Sequence, residues 1–160
     1  MSERKPAPIQ IFQINSSVGG VPKLPLSKGE VTWFGLSGDT HNDTVHHGGP
    51  EKAISLYSLE LIRALQMEGH PIFPGSTGEN ITLVGLDWSL VEAGLRLGLG
   101  DAVELEITRF ATPCKTIRDS FLNEEFNRIS WRTNPGWARA YARVVKPGMI
   151  GVSDLVRIIY

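Results

Sequence analysis

Short runs of alternating apolar and polar residues, interrupted again and again by glycine and proline, dominate this sequence. The clearest run is 102–110, in which every second residue is apolar: Val103, Leu105 and Ile107. This alternation puts one face of a β-strand in a core and the other in water. Further strands are predicted on similar grounds at 31–36, 53–57, 138–145 and 155–159. We therefore expect a mainly β fold.

The first strand, which begins at Ile9, has apolar residues on both faces. Strict alternation places Ile9 and Ile11 on one face and Phe12 and Ile14 on the other. A strand that is apolar on both faces is typical of a closed or covered sheet. Glycines and prolines predict a loop at 18–26, and glycines predict turns at 97–101 and 146–148.

Two segments have helical spacing. Segment 58–69 offers Ser58 as an N-cap, Gly69 as a stop, and an apolar side formed by Leu61, Ile62, Leu65 and Met67. Segment 119–130 places Leu122, Phe126 and Ile129 at helical intervals. The pattern favours a closed or partly closed β-barrel with two or three flanking helices, with an open α+β sheet as the alternative.

Length and charge narrow the class of protein. The 160 residues predict a single domain, 1–160, with residues 1–8 as a flexible tail. The net charge of −1 and the scattered cations argue against binding to nucleic acid or to an anionic membrane surface. One cysteine excludes an internal disulfide framework, and the polar N-terminus is unlike a secretory signal. We expect a cytoplasmic protein.

Three of the four histidines lie in one short polar stretch, HNDTVHHGGP at 41–50. His46 and His47 are adjacent, so on an extended chain they point to opposite faces, which is unfavourable for a closed zinc site. Two other interpretations are open. The stretch is either a polar surface loop or a turn in which Gly48 and Gly49 let backbone N–H groups approach an anion.

Two further stretches carry groups that could do chemistry. In PGSTGENITL, residues 74–83, Gly78, Glu79 and Asn80 lie in a donor-rich turn just before a predicted strand. The only cysteine, Cys114, follows a proline and precedes Lys115 and Arg118. Nearby cations favour a thiolate, the form that attacks electrophiles and binds soft metals, whereas a lone cysteine is often only a small buried apolar residue.

These stretches, in this order, resemble the MOSC domain, named after the C-terminal domain of molybdenum-cofactor sulfurase. The matching elements are Gly38-Asp39, Asp43, His47-Gly48-Gly49, Lys52-Ala53, Tyr57, Pro74-Gly75, Gly78-Glu79-Asn80-Ile81, Gly100-Asp101, Pro113-Cys114 and Gly136-Trp137. The overall length resembles the small stand-alone bacterial members. There are departures: Ser153-Asp154 replaces a Gly-Asp turn, His46 is an extra histidine, and Thr112 stands where the family often has arginine.

The resemblance implies a β-barrel that binds molybdenum cofactor, a pterin whose dithiolene sulfurs hold the metal. It implies that Cys114 is the catalytic residue, as protein ligand to the metal or as sulfur carrier. The residues expected to bind the cofactor are Asp39, His47, Gly48, Gly49, Gly78, Glu79, Asn80 and Lys115. Within this set the glycines would cradle the phosphate, His47 would donate a hydrogen bond, and Asp39 would support the site or its turn.

Stand-alone MOSC proteins resemble reductases of N-hydroxylated compounds, so the first functional hypothesis is a molybdenum-dependent oxidoreductase acting on such small molecules. Electrons would come from a separate donor protein, because one cysteine cannot hold an iron–sulfur cluster. The alternative is a sulfur carrier, in which Cys114 delivers persulfide sulfur to the cofactor of a partner enzyme. A cofactor store without activity is the third possibility.

Overall fold

The computed structural model describes residues 6–39 and 49–160, which contain eleven β-strands and one α-helix. The helix, α1, spans Leu59–Met67. The strands are β1 Ile9–Ser16, β2 Leu24–Leu26, β3 Lys28–Thr32, β4 Gly35–Leu36, β5 Ile54–Ser58, β6 Ile81–Val84, β7 Arg96–Leu99, β8 Val103–Phe110, β9 Ala140–Lys146, β10 Gly148–Gly151 and β11 Leu155–Ile159.

A closed barrel organises the fold. Within the described residues, seven strands form a ring in the order β11-β7-β8-β9-β5-β6-β1, and pairing of β11 with β1 closes it. Strand β2 extends the sheet beside β1, while β10, β3 and β4 form a separate three-stranded sheet. Closure leaves no unpaired edge in the ring, which explains how so many short strands form one stable unit. The predicted mainly β barrel is confirmed.

Inward-pointing side chains of the ring form the core. On β8 the predicted residues Val103, Leu105 and Ile107 are buried, and on β9 Ala140 and Ala142 are fully buried beside them. On β1 a bulge between Ile11 and Gln13 shifts the register by one residue. Ile11 and Ile14 therefore both enter the core, and the strict two-face assignment predicted for this strand is wrong.

Three other boundaries differ from the predictions. The predicted strand 31–36 is a hairpin, because residues 33–34 turn between β3 and β4. The predicted loop 18–26 ends in β2, where an edge position accommodates Pro25. The predicted turn 97–101 is largely β7, since Leu97 and Leu99 alternate into the core.

Helix α1 forms as its sequence predicts. The Ser58 side chain accepts a hydrogen bond from the Leu61 N–H at 3.2 Å, and Gly69, at a φ of +99°, follows the end of the helix. The helix connects β5 to β6, which pair in parallel, and a parallel pair requires a crossover of this kind. Ile62 and Leu65 are buried, but Met67 is 89% exposed and does not belong to the apolar side.

The predicted second helix at 119–130 is wrong. The segment forms 3-10 turns at Lys115–Ser120, Leu122–Glu124 and Phe126–Ile129. Asn123 and Glu124 have positive φ angles, which no α-helix contains. Phe121 and Ile129 are buried whereas Leu122 is 44% exposed, so the apolar side chains reach the core without a helical stripe. No helix in the described residues is long and apolar enough to cross a membrane.

A charged row crosses three strands outside the barrel and predicts an acid-sensitive contribution to stability. Arg96 and Arg143 both donate to Glu106, at 2.9 and 2.8 Å, and lower the pKa of its carboxyl group. A carboxylate with a lowered pKa stabilises the fold above its unfolded pKa and loses that effect as pH falls. Glu106→Gln should reduce the free energy of unfolding by up to about 1 kcal/mol at pH 7 and by nothing once the wild-type carboxyl is protonated. Denaturant unfolding of both proteins at pH 7 and at a pH where the wild-type carboxyl is protonated measures this difference. An equal loss of unfolding free energy at the two pH values would contradict the prediction.

Candidate functional site

Cys114 lies just beyond the end of β8. The Ala111 N–H donates to the Arg139 carbonyl at 2.8 Å, which continues the β8–β9 pairing past Phe110. Three residues later the chain reaches Cys114, within about 11 Å of Ala111 even if fully extended. The cysteine and the start of β9 therefore lie at the same end of the barrel.

The Cys114 thiol is not part of the packed core. Cys114 is half-buried, and its Sγ lies 2.9 Å from the Thr116 Oγ1, with which it shares a hydrogen bond. Lys115 and Arg118 are exposed, and Arg118 donates to the Lys115 carbonyl at 3.2 Å. The sulfur is thus held beside a hydroxyl at the beginning of a 3-10 turn, in a residue that is not fully buried.

Hydrogen bonds hold the 3-10 turns that follow Cys114 to the second predicted stretch and to the residues just after α1. The Ser120 hydroxyl donates to the Ser76 hydroxyl at 2.9 Å, and the Leu122 N–H donates to His70 Nδ1 at 3.0 Å. Arg128 binds the Glu68 carboxylate through two nitrogens, at 2.9 and 2.7 Å. The Ser120–Ser76 bond connects the cysteine-bearing segment to the 74–80 turn, and the other bonds hold the following turns to the residues just after α1.

Glu79 shapes the turn in which it lies. Its carboxylate accepts from the Gly75 N–H at 3.0 Å, the Thr77 hydroxyl at 2.8 Å and the Thr82 hydroxyl at 3.1 Å, and the residue is 0% exposed. A carboxylate with its oxygens used in this way is closed to a ligand. Direct contact between Glu79 and a cofactor, which the resemblance implies, does not fit this geometry.

Asn80 joins the turn to the barrel and to Asp39. Its side-chain oxygen accepts from the Ser55 N–H at 3.0 Å, and its side-chain nitrogen donates to Asp39 Oδ2 at 3.0 Å. Asp39 also accepts from the Ser17 N–H at 3.0 Å and forms a 2.7 Å ion pair with Lys23. The side chains of this pair are 3% and 8% exposed, so Asp39 is an interior anchor. The expectation that Asp39 supports a turn agrees with these contacts.

The glycine at position 75 is required by close backbone approach and gives a testable prediction. Gly75 has a φ of +89°, and a Cβ there would lie 2.5 Å from the Lys23 carbonyl oxygen. Gly75→Ala should therefore lower the free energy of unfolding by at least about 2 kcal/mol, from strain and from the clash. Gly94, at +98° with no atom within 4 Å of such a Cβ, provides the matched control. Equal losses in Gly75→Ala and Gly94→Ala would contradict the prediction.

Of the first predicted stretch, 41–50, only residues 49 and 50 are among those the structure describes. His47 and Gly48, with His41 and His46, lie outside the described residues, and their assigned roles remain predictions. Gly49 has a φ of +93° and precedes the 3-10 turn Pro50–Lys52, so it adopts a conformation suited to glycine. Residues 6–39 and 49–160 contain no group of three or more metal-ligating side chains.

Arg139 is a site residue that the sequence reasoning did not identify. Its Nη1 donates to the Thr77 carbonyl at 2.7 Å, while its own carbonyl accepts from Ala111. It therefore contacts both the 74–80 turn and the segment leading to Cys114. Arg139 directly precedes β9, and nothing in the sequence around it marks the 74–80 turn as its partner.

Tyr57 is a buried residue that bonds to the backbone two residues before Arg139. Its hydroxyl donates to the Trp137 carbonyl at 2.7 Å, and the residue is 0% exposed. Burial raises the pKa of Tyr57 well above its usual value, so the phenol stays neutral and acts as a hydrogen-bond donor. A separate cavity of about 960 Å³, lined by Pro8, Asp101, Met149 and Arg157 among others, contains none of the predicted site residues.

Comparison with known proteins gives sequence relatives in the same family. The sequence profile of the MOSC domain matches residues 43–157. YflK of Bacillus subtilis (strain 168), an uncharacterised protein, is 28% identical over 133 residues, which cover 82% of this chain and 59% of YflK. The chain thus spans less than two thirds of the length of this curated relative.

Solved structures show the same fold. YiiM from Geobacillus stearothermophilus superposes with a TM-score of 0.75 at 25% identity, covering 96% of this chain and 76% of that one. YiiM from Escherichia coli gives 0.65 at 20% identity, over 96% of this chain and 69% of that one. YuaD from Bacillus subtilis gives 0.72 at 16% identity, over 94% of each chain. Since the family profile covers more than half of its residues, this chain belongs to the MOSC domain family.

Proposed function

We propose that this protein binds molybdenum cofactor and reduces N-hydroxylated small molecules, with the Cys114 thiolate as the protein ligand to the metal. The observation that carries the proposal is the position of the sole thiol. Cys114 is half-buried at the barrel end, in a segment that Ser120 bonds to Ser76 of the 74–80 turn, and the Arg139 guanidinium binds the Thr77 carbonyl of the same turn. Membership of the MOSC family supports the link to this cofactor.

The donor set fits such a group. Molybdenum in this cofactor is thiophilic, and a thiolate is the soft ligand that proteins offer to thiophilic metals. The carboxylates of Asp39 and Glu79 are taken up by internal hydrogen bonds, so they do not compete as hard ligands. The pterin carries a phosphate, and Arg139 supplies a cation beside the turn.

The cofactor, when bound, supplies the two-electron redox chemistry. Conversion of an N-hydroxylated amine to the amine consumes two electrons and two protons and releases one water. The electrons are assigned to a separate donor protein, because this chain has one cysteine and cannot hold an iron–sulfur cluster. The task of Cys114 is to hold the metal, and Thr116 orients the sulfur through its hydroxyl.

The test is metal and pterin analysis of protein purified from a host that makes molybdenum cofactor. The proposal predicts about one molybdenum and one pterin per chain, and reduction of a hydroxylamino compound when a reductant is supplied. Protein that contains neither metal nor pterin after expression in such a host would refute it.

Sulfur carriage is the second candidate, favoured by the accessibility of Sγ. A carrier must expose its sulfur to a partner enzyme, and a half-buried cysteine outside the core satisfies this. Cyanide releases persulfide sulfur as thiocyanate, so the same preparation distinguishes the two functions. Stoichiometric thiocyanate without turnover of hydroxylamino compounds supports the carrier, and turnover without thiocyanate supports the reductase.

A further inference from the structure

The Arg139 side chain has one N–H donor without an acceptor. Nη1 is used by the Thr77 carbonyl, but Nε is buried and has no hydrogen-bond partner. It is the only side-chain nitrogen or oxygen in the described part of the chain that is both buried and unpartnered. Leaving a buried donor unsatisfied is unfavourable, so such a group indicates a missing acceptor.

Three other arginines of the described residues are paired with carboxylates. Arg96 and Arg143 bind Glu106, and Arg128 binds Glu68. In residues 6–39 and 49–160 no carboxylate forms an ion pair with Arg139. Among the described residues, the Arg139 charge therefore has no carboxylate partner.

The open edge has the geometry of a fork. Because Nη1 faces Thr77, the edge formed by Nε and Nη2 is the one left for a ligand. Two parallel N–H groups on one edge of a guanidinium match two oxygens of a phosphate. A lysine at this position could neither bind two oxygens in this way nor keep the contact with Thr77 rigid.

Three other cations lie on neighbouring elements at this end of the barrel. Arg109 pairs across the strands with Tyr141, on the same face as Arg139, and Lys115 and Arg118 are exposed in the adjoining segment. The whole chain has a net charge of −1, so this concentration of positive charge is local. Its field favours an anionic ligand.

We propose that Arg139 is the residue that binds the phosphate group of the pterin cofactor, through the Nε and Nη2 edge of its guanidinium. The inference rests on the proposed function and deepens it by assigning the anion-binding residue. It places the phosphate beside the 74–80 turn, because the same guanidinium binds the Thr77 carbonyl of that turn.

The first test uses the orphan N–H itself and needs no cofactor. In wild-type protein, the Arg139 Nε–H resonance, assigned by its loss in Arg139→Lys, should shift saturably when inorganic phosphate is added. Sodium chloride at equal ionic strength is the control for charge screening. An Arg139 resonance that does not respond to phosphate overturns the proposal. A resonance that responds equally to chloride also overturns it, because the site then binds an adventitious ion only.

The second test measures pterin and molybdenum in Arg139→Gln protein from the cofactor-producing host. Loss of a charged, two-point contact should reduce loading at least about tenfold. Arg143→Gln is the matched control, since Arg143 lies four residues after Arg139, in β9, but is paired with Glu106. Arg139→Lys, which keeps the charge, should load to an intermediate level and guards against a folding artefact.

The outcomes separate the two proposals. Wild-type protein that loads while Arg139→Gln loads equally well overturns the assignment of Arg139 but not the function. Wild-type protein without pterin overturns the function, and the phosphate titration then decides whether Arg139 is an anion-binding residue at all.

Discussion

Cys114→Ala protein is expected to contain almost no molybdenum when purified beside wild-type protein from the same host. Removal of groups that merely orient a metal ligand typically weakens metal binding about 10- to 100-fold, so removal of the ligand itself should exceed that. The measurement is metal and pterin content per folded chain, together with hydroxylamine reduction. Activity should fall with the metal.

The fold should survive the change, which makes the result interpretable. Cys114 is half-buried and lies outside any strand, and among the described residues its side chain bonds only to Thr116. Its replacement should change the free energy of unfolding by no more than about 0.5 kcal/mol. Thr116→Val is the matched control: it removes the hydroxyl beside Sγ but leaves the sulfur, so most of the metal should remain. Full molybdenum content in Cys114→Ala would contradict the assignment.

Much of the barrel could be predicted because the strands that form it are amphipathic or apolar over several residues. In β8 the alternation from Val103 to Ile107 directly reports which side chains are buried. The bulge in β1 could not be predicted, since nothing in residues 9–16 marks the position at which two residues oppose one. Segment 119–130 also misled, because apolar residues spaced three or four apart suit consecutive 3-10 turns as well as a helix.

The site was predictable only at the level of residue types. A lone cysteine flanked by cations indicated a functional thiol; Cys114 is half-buried, and its role remains a prediction. The contacts of Glu79 could not be predicted, because they depend on how the turn folds back on itself and on the Thr82 hydroxyl of β6. Arg139 was missed because its partner, the Thr77 carbonyl, lies 62 residues away in the chain. Long-range contacts of this kind carry no local signature.

Lys23→Met is expected to lower the free energy of unfolding by about 3–5 kcal/mol, because it leaves the carboxylate of Asp39 buried without a counter-charge. The Asp39 side chain is 3% exposed, and within residues 6–39 and 49–160 it would keep the hydrogen bonds from Ser17 and Asn80 alone. Denaturant unfolding measures the loss. Lys28→Met, at an exposed lysine of β3, is the matched control and should change stability by less than about 0.5 kcal/mol.

The double variant Lys23→Met, Asp39→Asn decides whether the charge is the cause. If an unpaired buried carboxylate accounts for the loss, neutralising it should recover part of the stability. The sum of the losses in the two single variants should then exceed the loss in the double variant. Purely additive losses would show that packing of the Lys23 stem, rather than the ion pair, holds this region. Because Asp39 also fixes Asn80, and Asn80 fixes Ser55 on β5, loss of the pair should further loosen the 74–80 turn. Faster hydrogen exchange at the amides of Ser17, Ser55 and Asn80 in Lys23→Met, relative to Lys28→Met, is the local measurement of that effect.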